Sequence, residues 1–196
     1  MMTPVLRLAA VTLLAAAAGP ASAHSAEGLG GGFAAGFMHP LLGWDHVAAM
    51  VAVGLWGAFL GRPAIWLLPV VFPLVMTVGG ALGVLGVPLP AVELGIALSA
   101  VLLGAAVAFA LRPPLWLAGV LVGVFAIFHG HAHGTELPEA AHPLVYSLGF
   151  VIATGLLHLA GIAIGEAVRW RHGRTLVRVA GGLIAAVGLV FVKGSL

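Results

Sequence analysis

The chain has 196 residues, 62% hydrophobic and only 7% charged, with a mean hydropathy of +1.18. A soluble domain carries about a quarter charged residues, so eight Lys and Arg with six Asp and Glu exclude a soluble enzyme, a nucleic-acid binder and a disordered chain. The pI near 9.9 comes from a net charge of only +2, and the absence of cysteine removes disulfides, thiolate ligands and redox pairs.

Residues 1–23 read as a cleavable secretory signal peptide. Arg7 supplies the positive start, Leu8 to Ala18 the apolar stretch, and Ala21-Ser22-Ala23 the small-x-small cleavage pattern. The apolar stretch is short for a span and ends in Gly19-Pro20, which argues against an uncleaved first helix. Cleavage after Ala23 makes His24 the new N-terminus, where an α-amine beside an imidazole offers a bidentate metal chelate.

Residues 24–196 read as one domain of an all-α membrane protein, a six-transmembrane-helix bundle. A span needs about 20 mostly apolar residues. Apolar runs between Gly, Pro and charged breaks predict spans at about 40–60, 64–86, 91–111, 115–135, 143–167 and 176–193. The breaks are Gly61-Arg62-Pro63, Val87-Pro88-Leu89-Pro90, Arg112-Pro113-Pro114, residues 136–142 and residues 169–174, loops too short for a second domain. With the mature N-terminus outside, the inner loops hold Arg62, Arg112, Arg169, Arg171 and Arg174, with Arg178 just beyond. Lys193 alone falls outside, a positive-inside pattern that agrees with the signal peptide. The outer loops carry Glu27, Glu136, Glu139 and His142. Gly119, Gly123, Gly130 and Gly134 in the fourth span form small-xxx-small pairs suited to close helix approach.

Ionisable side chains within a span cost at least about 2.5 kcal/mol each and mark function by default. Two clusters stand out. In HPLLGWDH (39–46), His39 and His46 are seven apart, almost two turns of a helix, which predicts one shared face. Asp45 sits one position round, and Met50, four beyond His46, extends the stripe with a thioether. In FHGHAHGTE (128–136), His129 and His133 stand at i and i+4, Glu136 completes a seven-residue interval, and His131 points elsewhere.

The topology sets His46 and His129 about 9 Å inside the outer surface, with Glu93 opening the third span at that level. Imidazoles with carboxylates suit a borderline divalent ion such as Ni²⁺, Co²⁺, Zn²⁺ or Cu²⁺. His24, Glu93, Met50 and His158 are secondary candidates for metal contact. The bland readings are packing for Met50, a backbone hydrogen bond for His158 and an arginine pair for Glu166. The sequence contains no G-x-x-x-x-G-K-[ST] loop and no H-E-x-x-H motif. A zinc-dependent intramembrane hydrolase with Glu136 or Glu93 as general base is the alternative for the same cluster, and a bis-histidine haem protein a third.

His39-Pro40 with Gly43, Asp45 and His46, and Phe128-His129-Gly130 with Ala132-His133-Gly134 and Glu136, resemble the HupE/UreJ family of membrane proteins associated with hydrogenase and urease maturation. The resemblance extends to the signal peptide and six-span layout. The first motif also resembles the His/Asp-His signature of nickel/cobalt permeases, with one residue more between His and Asp. The resemblance implies a secondary permease, not an enzyme, that takes up nickel, or in some branches cobalt, across the bacterial inner membrane. His39, Asp45, His46, His129, His133 and Glu136 are then the functional positions and both mature termini are periplasmic. The metal is cargo and not a permanent cofactor. The partners are the ion, the bilayer and cytoplasmic nickel chaperones of hydrogenase or urease, with no nucleic acid.

Overall fold

The computed structural model describes residues 29–137 and 142–195. The signal peptide, His24, Glu27 and Glu139 lie outside the described residues. Those residues are helical, with no strand among them: α1 (Leu29–Leu42), α2 (Trp44–Leu60), α3 (Ala64–Val84), α4 (Val92–Ala108), α5 (Leu115–Thr135), α6 (Pro143–Gly165), a 3₁₀ turn (Glu166–Arg169) and α7 (Gly173–Gly194).

The helix ends follow the punctuation. Gly61 closes α2 with φ +84, a left-handed conformation that glycine adopts without steric penalty. Proline opens α6 at its first position, where the missing N–H has no intrahelical partner to lose. α1 and α3 are exceptions, since Pro40 lies inside the first and Pro69 and Pro73 inside the second.

α3, α5, α6 with its 3₁₀ extension, and α7 are each long and apolar enough to cross a membrane. α4 is apolar but has 17 residues. The predicted first span is not one helix. α1 and α2 pass the same test only as a pair, bent by 77° at Gly43. Helical structure therefore begins well before residue 40, and the apolar run hides a sharp corner.

The bundle is apolar on the outside and keeps its histidines inside. Trp66, Leu74, Val78, Leu183 and Val190 are more than half exposed, while His46, His129, His131, His133 and His158 are buried. That inversion suits a lipid solvent, where outward apolar surface is free of penalty and ionisable groups face the interior. Close helix contact comes from small residues. A Cβ on Gly130 would collide with the Met76 carbonyl, and one on Gly134 with the Gly80 carbonyl. Reciprocally, Gly79 and Gly83 of α3 admit the carbonyls of Ile127 and His131. Gly119 and Gly123 have their nearest neighbours at 3.8 Å, so of the four span glycines only the pair nearest the histidines is a tight contact.

The connections α2–α3, α4–α5 and α6–α7 gather at one end and bring Arg62, Arg112, Arg169, Arg171, Arg174 and Arg178 with them. There Arg178 Nε donates to the Ala108 carbonyl at 2.7 Å and Arg112 stands 4.9 Å over the Phe59 ring. Arg169 and Glu166 pair at 2.7 Å, the partner expected for Glu166. Asp45, Glu93 and Glu136 occupy helix termini at the opposite end.

Candidate metal centre

The site is built at the corner between α1 and α2. Gly43 is extended (φ −83, ψ 104), so His39 in the last turn of α1 and His46 in the first turn of α2 fold toward each other. Their rings meet edge to face at 5.8 Å. The seven-residue spacing predicted this neighbourhood through two turns of one helix; the structure achieves it through a bend.

α5 brings the second motif to the same place. The His133 ring lies 4.7 Å from both the His39 and His46 rings, and the His129 ring 5.0 Å from His46. One nitrogen each from His39, His46 and His133 lie within 4.8 Å of one another. Neighbouring nitrogens bound at about 2.1 Å to one ion stand roughly 3.0 to 3.4 Å apart, so an inward movement of the rings would close this set on a divalent cation.

The hydrogen bonds around the rings prepare them as ligands. Asp45 Oδ1 lies 2.7 Å from His46 Nδ1. An ionised carboxylate only accepts, so Nδ1 carries the proton and the buried, unpartnered Nε2 keeps its lone pair. Ser99 acts similarly on His129. Its hydroxyl donates to the Ile96 carbonyl at 2.5 Å, so it accepts from His129 Nε2 at 2.9 Å. His129 Nδ1 is then the free base, buried and without a partner. Both nitrogens of His133 are equally unpartnered. Buried polar atoms left in this state are rare, and here they converge.

Negative charge rims the cage. Glu136 caps α5 just past Thr135 and its carboxylate stands 3.9 Å from His39 Nε2. It is reached at the helix end and not by continued periodicity. Glu93 lines, with His39, Asp45, His46 and Glu136, a cavity of about 270 Å³. On the other flank His133, Tyr146 and Phe150 border an apolar cavity of about 180 Å³.

Other candidates fall elsewhere. Met50 is packed in the apolar core with Leu55, Leu68 and Phe72. His131 donates to the Val87 carbonyl at 2.7 Å, outside the cage as expected. His158 is buried deeper, against Phe72. Sequence reasoning missed Ser99, Phe72 and Phe150, the last with its ring 4.1 Å from His133. A serine or phenylalanine in an apolar run gives no sign of its partner on another helix.

Comparison with known proteins adds identity to this geometry. The family model described as HupE / UreJ protein matches residues 11–191. Protein HupE of Rhizobium leguminosarum bv. viciae is 45% identical over 184 residues, covering 93% of this chain and 96% of that protein. No solved structure matches the chain.

Proposed function

The chain belongs to the HupE/UreJ family, and from that membership together with the histidine cage we propose that it is a six-span secondary permease taking up a divalent transition metal, nickel foremost, across the bacterial inner membrane. The observation that carries this reading is the convergence of His39, His46 and His133 within 4.8 Å beneath a cavity bordered by Asp45, Glu93 and Glu136. The six spans are the bent pair α1–α2, then α3 to α7. α4, at 17 residues, extends about 26 Å, close to the thickness of a bilayer core. Gathering of the arginines at the far end supports an orientation with the cage facing the periplasm and the arginines the cytoplasm. Both ends of the mature chain, freed of residues 1–23, are then periplasmic.

The chemistry follows from the donors. A hydrated ion enters the acidic cavity, where Glu93 and Glu136 raise its local concentration. It exchanges water for the imidazole nitrogens of His39, His46 and His133, with His129 next below. Asp45 stays on His46 Nδ1 and supplies negative charge through the ring. Protons compete for the same nitrogens, so acid weakens binding. No nucleotide-binding loop is present in the sequence. The inside-negative potential favours cation entry by about 2.3 kcal/mol per charge per 100 mV, hence about twice that for a divalent ion. Delivery of the ion to a cytoplasmic chaperone for hydrogenase or urease completes this reading. The hydrolase alternative gains no supporting observation.

The test is radioactive nickel uptake into proteoliposomes with an inside-negative potential. The wild-type chain should accumulate the ion, and His46→Ala and His133→Ala should each lose at least nine-tenths of that uptake. Wild-type accumulation by both variants would overturn the site.

A further inference from the structure

Deeper than the cage, the interior holds polar atoms that nothing satisfies. His158 is 1% exposed and Thr154 fully buried. Neither ring nitrogen of His158 nor the Thr154 hydroxyl has a hydrogen-bond partner. The two are one turn apart on α6 and so share a face. Leaving a buried polar group unpaired is costly, and here three atoms are left so in one patch.

α3 adds a fourth donor. Pro73 has no N–H, so the Pro69 carbonyl lacks its helical partner. That carbonyl lies within reach of the His158 ring, although the contact falls short of a well-formed hydrogen bond. One imidazole, one hydroxyl and one released carbonyl thus surround the same region.

Its position is ordered relative to the cage. At 1.5 Å per residue, His133 and His129 lie roughly 3 and 9 Å from the end of α5, while His158 lies roughly 22 Å along α6 from the same end of the bundle. The Phe72 ring is in contact with both levels. Its centroid is 5.4 Å from that of His129 and 5.4 Å from that of His158.

We propose that His158, Thr154 and the Pro69 carbonyl form a second, inner station for the divalent cation, with the Phe72 ring in contact with both it and the outer cage. The inference rests on the transport reading. All inner donors are neutral, whereas the cage is backed by carboxylates, so the inner station binds more weakly. That gradient suits passage, which requires binding strong enough to admit the ion and weak enough to release it.

The chain contains no cysteine, so His158→Cys places a single thiol at the station. Co²⁺ added to the full-length variant in detergent should produce a thiolate-to-cobalt charge-transfer band absent from the wild type. His158→Leu should lower nickel uptake at least tenfold while nickel affinity at the cage, read by calorimetry, stays within twofold. That retained affinity also reports that the variant is folded. A His158→Cys chain that binds Co²⁺ at the cage without the band, or wild-type uptake by His158→Leu, overturns the station alone. A wild-type chain that accumulates no nickel or cobalt in proteoliposomes overturns the transport reading, and the station with it.

Discussion

Asp45 grips its chain neighbour His46 twice, accepting the ring Nδ1–H at 2.7 Å and the backbone N–H at 2.8 Å through the same oxygen. The carboxylate thereby fixes the tautomer, the ring orientation and the local charge of a cage ligand. Asp45→Asn keeps the size and a carbonyl acceptor but removes the charge. Outer groups of this kind typically govern 10- to 100-fold in metal affinity. Nickel affinity measured by calorimetry on purified protein should fall by about that factor. Unchanged affinity would sink the orienting role.

Gly43 sits directly against this pair. Its φ of −83 and ψ of 104 suit any L residue, so the corner itself tolerates alanine. The space does not, because a Cβ there would lie 2.9 Å from His46 Nδ1 and 3.0 Å from Asp45 Oδ1. Gly43→Ala should therefore push the pair apart and weaken nickel binding about tenfold, in the range expected for a disturbed ligand support. Its thermal midpoint in detergent should stay close to wild type. A large drop in that midpoint would place the effect in the corner and not in the pair.

The sequence carried the chemistry of the site further than its geometry. Histidines and carboxylates inside apolar runs are conspicuous because lipid makes them expensive, so both motifs could be read from composition alone. The arginine connections marked one end for the same reason. The corner at Gly43 was hidden, since Phe33 to Leu60 is apolar almost throughout and hydropathy does not record direction. The i to i+7 spacing therefore paired His39 with His46 correctly by the wrong geometry. Met50 takes its packing reading. A helical register four beyond His46 carried it past the site into the core. Ser99 and Phe72 were silent because their importance lies in contacts made across helices, to His129 and His158.

Ser99 gives a prediction that isolates tautomer control. It is fully buried and its only role toward His129 is to accept the Nε2–H at 2.9 Å. Ser99→Ala removes that acceptor and leaves the donor buried and unpaired, a change of about 1 to 3 kcal/mol. The ring is then free to rotate or to exchange its proton to Nδ1. Nickel uptake should drop about tenfold, and Ser99→Thr, which retains the hydroxyl, should recover most of it. Equal uptake by wild type and Ser99→Ala would remove His129 from the path.

The α3–α5 contact decides whether the second motif is held in place at all. His129 and His133 alternate along α5 with Gly130 and Gly134, whose missing side chains let the carbonyls of Met76 and Gly80 approach. Adding a methyl at either glycine meets backbone, which cannot step aside as a side chain would. Overpacking of this sort costs typically about 1 to 3 kcal/mol, and the relief available to α5 is to move away from α3, carrying both imidazoles with it. Gly130→Ala and Gly134→Ala should therefore lower the thermal midpoint and abolish most nickel uptake together. Gly119→Ala, on the same helix with its nearest neighbour 3.8 Å away, should change neither. If all three behave alike, the histidines are not positioned by this contact, and the support for α5 must come from α4 and the bend of α1 on α2.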